Sequence, residues 1–120
     1  MNMRDLYQKV KMLMFEKSSS TVYDAYFEDA ANLVFSEIRG ENEMAFLFRG
    51  LVSPEYDHIS MNGTDDLSEI FDREYLDRVI PLGIAAHLLI DDDLQKYSIF
   101  NTKYQNARIM AQKMVIEDVQ

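Results

Sequence analysis

The sequence predicts an all-α fold: a bundle of about four main helices, with a long connector between the second and the third. Three observations predict it. Apolar residues recur every three or four positions over four long stretches. Only residues 41–63 leave room for a pair of short strands. Breaking signals, among them Ser18-Ser19-Ser20, Gly40 and Asp91-Asp92-Asp93, fall between the periodic stretches.

The first helix is expected over residues 5–17. Leu6, Val10, Leu13 and Met14 make one apolar face, and Arg4, Lys9, Lys11 and Lys17 make this end basic. The second is expected over 22–39. Thr21 and Asp24 resemble a capping box. Tyr23, Phe27, Ala30, Val34 and Ile38 form its stripe, widened by Tyr26, Leu33 and Phe35. Gly40 is the expected C-terminal stop. Residues 41–63 read as an irregular connector. Its apolar run Met44 to Phe48 fits a buried strand or a helical turn, and Pro54 ends it.

A helical region over 64–71 has Thr64 as its expected cap. A stronger helix is expected over 73–90, with a kink or restart at Pro81. Gly83, Ala85 and Ala86 let a neighbour approach closely. The last helix is expected over 93–116, capped from the acidic turn. Tyr97, Phe100, Tyr104, Ala107, Ala111 and Met114 form its stripe.

Composition narrows the function. A chain of 120 residues fits one domain, and 48% apolar residues suffice for a core. With no cysteine there is no disulfide, thiolate nucleophile or zinc finger. Twelve bases against 21 acids give a net charge of −9, which opposes any Lys/Arg grip on nucleic acid. No membrane partner is expected, because no run approaches about 18 apolar residues. The opening residues lack a signal peptide's regions, so a soluble, intracellular domain is expected.

No constellation of catalytic type stands out. His58 lies in a polar connector and His87 on an apolar stripe, neither with a nucleophile pattern nearby. Asp91 to Asp93 and Asp65-Asp66 lack the spacing and glycine of a calcium loop. The four glycines are isolated, so there is no phosphate cradle. No catalytic residue, metal site or cofactor is expected. Met44, Phe46, Phe48, Leu51, Val52 and Tyr56 are the candidate protein interface, since aromatics and methionine are enriched there.

From Asp65 to Met114 the chain resembles a known family. The residues are Asp65-Asp66-Leu67-Ser68-Glu69, then Glu74 to Leu89 with Ala85-Ala86-His87-Leu88-Leu89. The acidic turn Asp91–Asp93 and Phe100-Asn101-Thr102-Lys103-Tyr104 follow. This looks like the C-terminal half of the head–tail connector (adaptor, or head-completion) proteins of tailed bacteriophages. The resemblance implies a helical hairpin whose core is Ala85, Ala86, Leu89, Phe100 and Tyr104. It implies a non-enzymatic virion protein of the neck, made in the host cytoplasm. Such proteins form a ring, usually dodecameric, on the portal protein. The ring extends the DNA channel and carries the tail-proximal neck or stopper protein. Duplex DNA would pass an acidic wall without specific binding. The alternative is a small acidic helical regulator that masks a basic partner. It would need its acids gathered on one exposed face, whereas Asp72, Arg73, Glu74, Asp77 and Arg78 are mixed.

Overall fold

Six α-helices and one π-helical turn build the chain, and the computed structural model describes residues 1–119. The helices are α1 (Met3–Leu13), α2 (Phe27–Glu37), α3 (Arg39–Phe48), α4 (Leu67–Ile70), α5 (Ile80–Leu89) and α6 (Leu94–Asp118). The π-helical turn, Tyr75–Val79, leads straight into α5. The all-α expectation is met. The short strand pair is not: no strand forms among the described residues.

α5 is the centre. It is apolar nearly all round, and eight of its ten residues are buried, as a helix packed on several sides must be. It packs most extensively on α6, then on α2 and α1. One contiguous apolar cluster joins all four, with Leu6, Val10, Phe27, Val34, Ile80 and Ile84 fully buried. Gly83 allows the close approach of α6, its backbone lying against the Tyr104 ring, and Ala85 and Ala86 are buried further along α5. Leu89 and Tyr104 are buried with them, and Phe100 packs half-buried against the cluster.

Local chemistry sets the boundaries. Asn2 and Asp5 form a reciprocal capping box on α1, so the helix starts earlier than the apolar stripe alone indicates. It stops at Leu13, before the serines. Thr21 and Asp24 do not cap α2. Asp24 instead accepts the Tyr7 hydroxyl at 2.7 Å, and Tyr23 donates to Asp92 at 3.0 Å. These long-range bonds hold residues 21–26 in turns, and α2 begins at Phe27.

The largest correction is α3. The run Met44–Phe48 is helical, so the connector begins at Arg49 rather than 41. Gly40 does not stop α2: it lies in the first turn of α3, after a bend at Ile38 (φ −96°, ψ 6°). The glycine that ends a helix here is Gly50, at φ 75°. Further on, α4 spans only four residues and is capped by Asp66, not Thr64.

Pro81 restarts the helix as expected, and the π turn is the means. Ile80 donates its N–H to the Tyr75 carbonyl, five residues back. In an unbroken α-helix the Asp77 carbonyl would take the N–H of residue 81, and proline has none. Lys9 supplies a replacement donor, its Nζ lying 3.1 Å from that oxygen.

Candidate functional site

The candidate interface residues divide over two sides of α3. Met44 and Phe48 stand half-exposed in an open groove between α3 and the C-terminal half of α6. That groove is about 590 Å³, floored by Ala45 and Val115 and edged by Ile116. Glu37 and Glu41 line its edge, Glu41 paired with Arg108 and Glu37 bonded to Tyr104. Phe46 is half-buried and lines a separate dimple with Leu51, Phe71 and Arg73. Val52 is 90% exposed. Leu47 and Ile116, which the sequence did not single out, are exposed apolar residues of the same region. Isolated exposed apolar residues are ordinary, but a group lining one groove marks an interaction surface.

Tyr56 does not join that surface. Its hydroxyl donates to the Phe35 carbonyl at 2.7 Å, its ring meets Phe71 edge-on, and Arg39 lies over its other face. Burial raises its pKa. It fastens the connector to α2. Asn32 does the same one turn earlier: its amide donates to the Ile59 carbonyl at 2.9 Å and accepts the Ile59 N–H at 2.8 Å. Glu28 accepts the Met61 N–H at 2.7 Å. That bond, then the His58 imidazole 2.9 Å away, holds the Glu28 carboxyl below its usual range.

Two polar clusters tie the groove's walls together. In the first, Asn42 is fully buried. It donates to the Ile70 carbonyl at 3.0 Å and accepts the Asp72 N–H at 2.8 Å. The Asp72 carboxylate, 6% exposed, takes the Arg49 guanidinium and the Glu74 N–H. Arg49 and Arg73 then both reach Asp118 at the end of α6. Those two guanidinium groups hold the Asp118 carboxyl below its usual range. In the second cluster, Arg108 of α6 grips Glu41 of α3, and Tyr104 donates to Glu37 at 2.8 Å. Burial, then these carboxylates, raises the pKa of Tyr75 and Tyr104 far above the ordinary phenol.

His87 and two carboxylates of the acidic turn have structural partners. His87 lies 3.1 Å from Glu37. Asp92 accepts from Tyr23, and Asp93 caps α6 by accepting the Lys96 N–H at 3.0 Å. Among the described residues no three His, Asp or Glu side chains come together as metal ligands. No helix is long and apolar enough to cross a membrane.

A second surface feature was not legible in the sequence. α1 ends in a two-bond turn: Phe15 donates to Met12 at 3.1 Å and Glu16 to Lys11 at 2.9 Å. This places Phe15 in the left-handed region at φ 59°, where it is 95% exposed. Another apolar patch lies on the turns before α2, on α2 itself and on the α5–α6 turn, where Val22, Tyr26, Leu33 and Ile90 are exposed beside Asp29 and Asp91.

Compared with family models, with curated proteins and with solved structures, the chain finds no match in any of the three.

Proposed function

We propose that this chain is a head–tail connector of a tailed phage or prophage. It docks as a ring on the portal, extends the DNA channel and offers a platform to the tail. The observation that carries the reading is the unpartnered apolar groove of Met44, Phe48 and Ile116 on an otherwise well-satisfied fold. No buried side-chain polar atom lacks a hydrogen bond among the described residues, so the polar groups serve the fold. What is left uncovered is apolar surface suited to protein partners. The α5–α6 hairpin with its small-residue seam supports the resemblance drawn from residues 65–114. A net charge of −9 per subunit suits a channel wall that does not hold DNA.

The test is portal binding. The chain is mixed with a purified portal from a tailed phage of the same genome and imaged by negative stain. A ring of added density under the portal is the expected result. A chain that stays monomeric alone, in portal mixtures and in purified virion necks sinks the proposal. Capture of a basic regulatory protein with no portal binding would favour the acidic regulator instead.

A further inference from the structure

α6 carries two stripes of alternating three- and four-residue spacing. The inner one, with Tyr104 and Ala111, is buried, and α6 packs mainly on α5. The outer one runs through Ile99, Thr102, Asn106, Ile109, Lys113 and Ile116, over about 25 Å of helix. Ile99 is 51% and Ile109 57% exposed, with Met110 half-exposed beside them. A straight α-helix drifts about 20° per heptad against such a stripe. The drift brings the stripe to the edge of the α3–α6 groove, which Ile116 lines and Ile99 does not. The outer face of α6 is thus a helix–helix seam without its second helix, and it ends at an open apolar groove.

Charge identifies the occupant. Residues 94–116 hold four bases and no acid, while the rest of the chain holds eight bases against all 21 acids. Surface helices gain from Glu and Lys paired one turn apart, and no such pair can form here. Arg108 is engaged within the chain by Glu41. Lys96, Lys103 and Lys113 are exposed and form no ion pair among the described residues. The acids at the groove's edge are answered internally, Glu41 by Arg108 and Glu37 by Tyr104 and His87. Phosphate would suit the lysines but not the isoleucines between them, and the acids elsewhere repel nucleic acid or an anionic bilayer. A second copy's α6 would bring lysine against lysine. The patch of Val22, Tyr26, Leu33 and Ile90 lies among aspartates and suits the opposite charge. An acidic protein helix satisfies both the apolar seam and its cations.

We propose that the outer face of α6 receives an acidic amphipathic helix of another protein. The partner's apolar residues pack on Ile99, Ile109 and Ile116, and its carboxylates meet Lys103 and Lys113. Its end reaches the groove at Met44 and Phe48. Asn106, a polar residue within an apolar seam, fixes the register of the pair at some cost in affinity. Binding at this face needs no portal, so its failure and the failure of portal binding are read separately.

The experiment titrates the full chain with a synthetic three-heptad helix, isoleucine and leucine along its seam and glutamate on both flanks. Its own glutamates keep the peptide from pairing with itself. One peptide should bind per chain, and more weakly as salt rises. Ile109→Glu should weaken binding at least about tenfold; Ile99→Glu, also on the exposed seam, serves if Ile109→Glu misfolds. Lys103→Glu combined with Lys113→Glu should weaken it as much, whereas Leu33→Glu, on the other patch, should leave it unchanged. No binding at millimolar peptide, or binding that either the seam variant or the lysine reversal leaves unchanged, would overturn the proposal. So would duplex DNA or phosphatidylserine vesicles that bind at the same salt and are lost in Ile109→Glu, or a wild-type chain that pairs with itself through Ile109.

Discussion

The ring of Tyr104 lies against Gly83 so closely that a β-carbon added there would stand 2.6 Å from its Cε1. The ring cannot swing aside, being 2% exposed and bonded through its hydroxyl to Glu37. Gly83→Ala should therefore destabilise the chain. Overpacking costs about 1–3 kcal/mol, against roughly 1 kcal/mol gained from better helix propensity. A net loss in a urea or thermal midpoint is expected. A gain would mean that the α5–α6 seam has slack.

Asp72 and Asp118 both hold Arg49, but only Asp72 is buried. Asp72→Ala strips a desolvated guanidinium of its main partner and frees the Glu74 N–H. A loss of about 3 kcal/mol is expected. Asp118→Ala removes a more exposed, solvent-screened contact and should cost clearly less. Equal effects in denaturant titrations would refute the ordering.

Asn32 is the central tie between α2 and the connector. Asn32→Ala leaves both polar groups of Ile59 unpaired at a residue that is 3% exposed. The expected cost is about 1–3 kcal/mol. Amide exchange should speed up over residues 55–63 while α5 keeps its protection. Uniform acceleration across the chain would show that the connector belongs to the cooperative core.

Alkali should unfold the chain through its tyrosines. Burial, then the Asp92 hydrogen bond, pushes Tyr23 up to about 12. Burial raises Tyr7, Tyr75 and Tyr104 further. Unfolded tyrosine ionises near pH 10. A folded pKa above the unfolded one means stability is intact below about pH 10 and falls as pH rises towards 12. Phenolate absorbance and loss of helical signal should therefore climb together over that interval. Phenolate formation from these buried rings with the helices intact would contradict the burial argument.

The helices with clear stripes were legible in the sequence, and Ala85, Ala86, Leu89 and Tyr104 lie inside the fold. Periodicity reports burial, and these residues are buried. α3 was missed for the same reason. Only Asn42 and Ala45 of its ten residues are buried, so it shows almost no stripe. The Arg49-Gly50 stop was the signal that could have found it. Tyr56 looked like interface because a lone aromatic in a connector carries no sign of which way it faces. The hydrogen bond to Phe35 that decides this spans 21 residues. Phe15 was invisible because nothing in residue order marks a left-handed backbone without glycine or asparagine.

The connector bears on how α3 is placed. Residues 49–66, eighteen in all, would reach about 60 Å if drawn straight. The longest dimension of the molecule is 41 Å. A leash longer than the body it belongs to sets no position by its length. α3 stays where it is because the one-residue bend at Ile38 ties its start to α2, and Asn42, Arg49 and Glu41 anchor it to the rest of the fold. Lengthening the leash by a few residues would therefore leave the groove's walls in register, whereas loss of one anchor would not.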